Sequence, residues 1–124
     1  ESRRQLVNNA FTAASGSAIG NAVAYINIKY KEDITLNQLC EISGYSHQHF
    51  CRLFKAQMGM RPMEYIARRR IAQSKTLLAD SELTISQIGS DVGYPEPTYF
   101  GMVFRKYEGI SPSEYRKRRN SLEI

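Results

Sequence analysis

The chain is 124 residues long, 42% hydrophobic and 23% charged, with a net charge of +5 and a pI near 9.4. That length suits one compact domain, or two very small ones sharing a core, and the apolar share excludes disorder throughout. The basic balance favours an anionic partner, most often nucleic acid. No apolar run approaches the ~20 residues that cross a bilayer, and no export signal is visible, so Cys40 and Cys51 read as reduced cytosolic thiols.

The chain starts without Met, at "ESRRQLVNNAF", and is expected to be a piece of something longer or a trimmed form. Residues 1–17 contain "AASGS" and read as a linker or the end of an upstream domain, with room for a short helix at "RRQLVNNAF". Ile19, Val23, Ile26 and Tyr30 then recur at helical spacing. In "ITLNQLCEISGY" (34–45), Thr35 is placed to cap a helix that turns Leu36, Leu39 and Cys40 inward. Ser43-Gly44-Tyr45 breaks it, because glycine suits the left-handed backbone before a sharp turn. Ser46 caps the next helix, with Phe50, Leu53 and Phe54 inside. Gly59 ends that helix, and Pro62 opens a long one over residues 62–80, which carries Tyr65, Ile66, Ile71, Ser74, Leu77 and Leu78 on one face.

The same text then repeats. "LTISQIGSDVGY" (83–94) lies over residues 34–45, matching Thr84 to Thr35, Gln87 to Gln38, Gly93 to Gly44 and Tyr94 to Tyr45. After one extra residue in "PEPT", Phe100, Val103 and Phe104 lie over Phe50, Leu53 and Phe54. Gly109, Pro112 and Glu114-Tyr115 lie over Gly59, Pro62 and Glu64-Tyr65. Apolar types are kept while surface types drift, as two copies of one supersecondary unit require. In the second copy Ile85, Ile88 and Gly89 face inward. Cys40 and Gly89 are the small residues where two helices cross closely. The expected fold is all-α: seven helices forming two helix-turn-helix lobes joined by a long linker helix. Lobe one covers about residues 18–61, the linker helix 62–80 and lobe two 81–120, with 121–124 as a tail.

A helix-turn-helix pushes its second helix outward, where it can enter a major groove. A linker helix of 19 residues at ~1.5 Å each spans roughly 28 Å, against ~34 Å between adjacent major-groove faces. It would set two recognition helices in successive grooves on one face of the duplex. On the first, the base-reading candidates are His47, Gln48, His49, Cys51 and Arg52: Gln pairs with adenine and Arg with guanine, each good pair contributing ~1–3 kcal/mol of discrimination. On the second they are Pro97, Thr98 and Met102, a surface poor in base-reading groups. The phosphate candidates are Ser46, Lys55, Arg61, Glu96, Tyr99, Arg105 and Lys106. The first helix is therefore expected to specify and the second to position. Basic clusters at 68–70 and 116–119 compete between phosphate contact and a solvated or ion-paired role, because consecutive helical residues point in different directions.

The doubled unit resembles the DNA-binding domain of the AraC/XylS family of bacterial transcription regulators. Ile88, "VGY" at 92–94, Tyr99-Phe100, "FRK" at 104–106 and "GISPSEYR" at 109–116 carry the resemblance, which covers about residues 18–120. It implies binding to promoter DNA in the cytoplasm, contact with RNA polymerase, an activator-type regulator, and dimerisation, if any, through an upstream domain. It implies no cofactor. Met102 and Gly101 depart from the family, which often has polar or basic residues there.

Other classes fit less well. No Ser/His/acid spacing, phosphate loop or carboxylate pair supports an enzyme. A zinc site among Cys40, His47, His49 and Cys51 is disfavoured, since His47 and His49 point ~160–200° apart on a helix of ~3.6 residues per turn. Cys51 reads as an exposed residue near basic neighbours, a tolerated surface position ahead of a redox sensor. The contrasting non-enzyme reading is a helical protein-interaction module that never touches DNA.

Overall fold

The computed structural model describes residues 17–122. Among them are seven helices and no strand: α1 (Ala18–Lys29), α2 (Leu36–Ser43), α3 (His47–Met58), α4 (Pro62–Asp80), α5 (Ile85–Asp91), α6 (Pro97–Glu108) and α7 (Pro112–Leu122). The helix expected at "RRQLVNNAF" lies outside the described residues. Two compact units divide the chain between Ile66 and Ala67, so the boundary falls inside α4 and not at its ends.

The local rules read from the sequence decide the helix ends. Ser17, Thr35, Ser46 and Thr84 each cap a helix by accepting a backbone N–H through the side-chain hydroxyl. Gly44, Gly59 and Gly109 close α2, α3 and α6 in the left-handed region, at φ of 79°, 79° and 83°. A side chain there would be strained, which is why glycine recurs. Pro62 and Pro112 occupy the first position of α4 and α7, where the missing N–H costs nothing.

Unit one has a core of Ile19, Ala22, Val23 and Ile26 from α1, Leu39 and Cys40 from α2, Phe50 and Phe54 from α3, and Ile66 from α4. Phe50 and Phe54 are fully buried, and such burial contributes about 1.5–3 kcal/mol for each large apolar side chain. Leu36 and Leu53 flank this core half-buried. Tyr65 stands edge-on to Phe54, with ring centroids 5.9 Å apart. Its hydroxyl donates to Asn27 Oδ1 at 2.9 Å. Burial pushes the Cys40 thiol above its ordinary pKa, and the neighbouring Cys51 pushes it further.

Unit two repeats the scheme with Ile71, Leu78, Ile88, Val92, Tyr94, Phe100, Val103 and Phe104. Tyr115 stands edge-on to Phe104 at 5.7 Å, matching Tyr65 and Phe54, so the recurring Glu-Tyr phrase brings the same ring to the same place twice. Ser74 is fully buried, and its hydroxyl donates to the Ile71 carbonyl at 2.7 Å, which satisfies it locally. The apolar face expected along α4 exists, but Tyr65 and Ile66 belong to the first core while Ala67, Ile71, Leu77 and Leu78 belong to the second.

Packing is close at Gly89, where a Cβ would lie 2.8 Å from Phe100 Cδ2 and 2.9 Å from its Cγ. These are ring atoms near the backbone, which cannot swing away. Gly89→Ala is therefore expected to destabilise the chain by about 1–3 kcal/mol. Gly101, whose added Cβ would meet nothing within 4 Å, should tolerate alanine, with a gain of up to about 1 kcal/mol from the helical preference. Urea denaturation of the two variants checks this; equal stabilities would contradict the close crossing.

Candidate nucleic-acid interface

The first helix of each turn is locked by a reciprocal cap. Thr35 Oγ1 accepts the Gln38 N–H at 3.1 Å, and Gln38 Oε1 accepts the Thr35 N–H at 2.9 Å. Thr84 and Gln87 do the same at 3.1 and 2.8 Å. The alignment pairs these glutamines without giving a reason; the T-x-x-Q spacing was the signal. The turn then delivers α3, where Ser46 Oγ accepts the His49 N–H at 3.3 Å.

On α3, Gln48, Arg52 and Lys55 are exposed, and His47 is exposed beside them at the first turn. Spacings of four and three residues set Gln48, Arg52 and Lys55 on one ridge. That ridge combines an amide, a guanidinium and an ammonium, groups that pair with base edges and phosphates. Ser46 is exposed at its foot, and Arg61 is exposed beyond the helix end.

Two of the base-reading candidates are placed differently. Cys51, expected to be exposed, is half-buried and packs against the first core. His49 is also half-buried; its ring stands edge-on to Tyr45, with centroids 4.7 Å apart and planes at 87°, and its Nδ1 lies 3.0 Å from Arg52 Nη2. Each adjoins Phe50 in sequence, about 100° around the helix from a fully buried ring, so each falls on the flank of α3.

The second unit presents Thr98, Met102 and Arg105 at the corresponding positions of α6, all exposed, with Lys106 beside them. Met102 is 63% exposed. Pro97 is exposed at the first position of the helix. Tyr99 is exposed and stands edge-on to Tyr94 at 5.6 Å and 71°, as His49 does to Tyr45. Glu96, one of the phosphate candidates, is exposed at the N-terminus of α6. Its carboxylate Oε1 accepts the Tyr99 N–H at 2.8 Å, so it caps α6 with a negative charge at the positive end of the helix.

The basic clusters are also partly internal. Arg70 is only 8% exposed; its guanidinium lies 4.9 Å from the centroid of the Tyr94 ring and donates to the Gly93 carbonyl at 3.4 Å. Burial raises the pKa of the Tyr94 hydroxyl, and Arg70 partly offsets that rise. Arg68 sits over the Tyr107 ring at 4.8 Å. Arg116 donates to the Leu78 and Ser81 carbonyls at 3.0 and 3.2 Å, and the Ser81 hydroxyl donates to the Leu77 carbonyl at 2.7 Å. No glycine follows Asp80, so these side chains satisfy the last carbonyls of α4 instead. Arg118 pairs with Glu114 at 3.2 Å. Among the described residues no group of three or more His, Cys, Asp or Glu side chains could hold a metal, and no helix is long and apolar enough to cross a membrane.

Known proteins share this pattern. A family model described as a helix-turn-helix domain matches residues 39–118. The lactose operon transcription activator of Staphylococcus xylosus is 36% identical over 98 residues, covering 79% of this chain and 35% of that protein. The C-terminal domain of AraT, a response regulator from Geobacillus stearothermophilus, superposes with a TM-score of 0.78 at 30% identity, covering 82% of this chain and 85% of that one. A transcriptional regulator from Chromobacterium violaceum, described among AraC-type DNA-binding domain-containing proteins, gives a TM-score of 0.76 at 27% identity over 86% and 96% of the two chains. The chain spans about a third of the length of the curated relatives it matches.

The arginine assignments are testable by stability alone. Arg116→Ala should cost about 1.5–3 kcal/mol, since two charged hydrogen bonds are lost, one to Leu78 in the last turn of α4 and one to Ser81 just beyond its end. Arg118→Ala, which breaks an exposed i,i+4 pair, should stay within about 0.5 kcal/mol. Thermal unfolding of both variants decides; equal midpoints would show that Arg116 is not a helix cap.

Proposed function

The chain belongs to the AraC-type helix-turn-helix family of transcription regulators, and from that premise we propose that it binds double-stranded promoter DNA sequence-specifically. Residues 18–120 form the DNA-binding domain in this reading. The observation that carries it is the exposed ridge of Gln48, Arg52 and Lys55 on α3, opposite the fully buried Phe50. Gln48 and Arg52 read bases, with His47 beside them, while Lys55, Ser46 and Arg61 hold the backbone. On α6, Arg105, Lys106 and Tyr99 position the duplex through phosphates, while Thr98 and Met102 offer a hydroxyl and an apolar contact to the bases. α4, with 19 residues, joins the two helix-turn-helix units along the chain, and each unit offers one recognition helix to one of two successive major grooves. Work at bacterial promoters implies a cytoplasmic protein that meets RNA polymerase. Dimerisation, if any, runs through an upstream domain in this reading.

The test is a titration of a duplex enriched from a random pool by this chain, against a scrambled duplex, over a range of salt. Affinity for both should fall steeply with salt, with a log–log slope of about −0.9 for each phosphate neutralised. Gln48→Ala and Arg52→Ala should each cost about 1–3 kcal/mol on the enriched duplex and little on the scrambled one. Lys106→Ala should weaken both alike and reduce the slope by about 1. Equal losses on both duplexes for all three variants would contradict the division between reading and positioning.

A further inference from the structure

We propose that His49 is a positioning residue for Arg52: its ring, braced on Tyr45, offers Nδ1 to the guanidinium and fixes the direction in which Arg52 meets a base. The inference rests on the base-reading role of α3 proposed above. Arg52 Nη2 lies 3.0 Å from His49 Nδ1. Arginine keeps its charge and has no acceptor, so Nη2–H donates, Nδ1 accepts and the ring proton sits on Nε2. The ring in turn stands edge-on to Tyr45 at 4.7 Å, and Tyr45 packs against the first core. Its N–H donates to Ser43 Oγ at 3.3 Å. A chain of contacts thus runs from the core through Tyr45 and His49 to an exposed guanidinium.

One of the five N–H groups of Arg52 is engaged in this way, and four are left, enough for a bidentate pair with guanine. A long side chain free in solution loses rotamer freedom when it docks; one held beforehand loses less. The second unit serves as an internal comparison. Tyr99 stands on Tyr94 in the same edge-on manner, so the aromatic brace is kept. At the position of Arg52 that unit has Met102, and at the position of His49 a tyrosine ring without a nitrogen. The imidazole occurs where there is a guanidinium to hold.

A double-mutant cycle tests the coupling on a duplex enriched from a random pool by the wild-type chain, below the unfolding temperature of every variant. His49→Leu should weaken that duplex about threefold to tenfold and blur the preference at the same base pair that Arg52→Ala relaxes. In the Arg52→Ala background it should have no further effect. His49→Gln, which restores an acceptor, should recover part of the loss. A His49→Leu loss that is the same in both backgrounds, or no loss at all, would overturn the proposal. A wild-type chain that enriches no duplex would overturn the reading of α3 and this inference with it; a selective wild type with additive variants overturns this inference alone.

Discussion

One buried ring in each unit sets the direction of everything outside it. Phe100 presses on Gly89, with no room between them for a methyl group, and Phe50 holds the matching place, fully buried. A helix turns about 100° per residue, so burying position 50 sends 48, 52 and 55 roughly 140–200° away, into solvent. Burying position 100 does the same for 98, 102 and 105. The outward ridge is thus a consequence of core packing. It persists whichever side chains occupy it, which leaves them free to be chosen for a ligand.

That freedom is visible in the two copies. The braces are alike: reciprocal caps on α2 and α5, left-handed glycines closing α3 and α6, edge-on tyrosines behind the second phenylalanine. The ridges differ. One carries Gln48, Arg52 and Lys55, the other Thr98, Met102 and Arg105. One scaffold therefore supports a surface rich in directional donors and another whose cations lie further along the helix. The N-terminal ends differ as well, since Ser46 caps α3 with a neutral hydroxyl and Glu96 caps α6 with a carboxylate.

Most of the fold was legible because it follows from short-range rules. Thr35, Ser46 and Thr84 as caps, the glycines in turns, the prolines in first turns and the inward phenylalanines each depend on a few neighbouring residues. Legibility failed where a side chain's partner is distant in sequence. Arg70 and Arg116 looked like surface charge, yet their guanidiniums lie against Tyr94 and on the end of α4. Helical periodicity along α4 showed an apolar face but not that its first turn serves one core and its remainder another. For the site, the ridge residues were identified correctly as outward. The flanking positions 49 and 51 were taken as outward too, although their 100° offset from Phe50 places them at the margin of the core.

The account is tested most directly by mapping backbone amide chemical-shift changes in the chain on addition of its enriched duplex. It predicts the largest changes along Gln48, Arg52 and Lys55 and along Thr98, Met102 and Arg105, and none around Asn21 and the exposed Ile28 on α1. Changes centred on α1, with α3 and α6 silent, would contradict it.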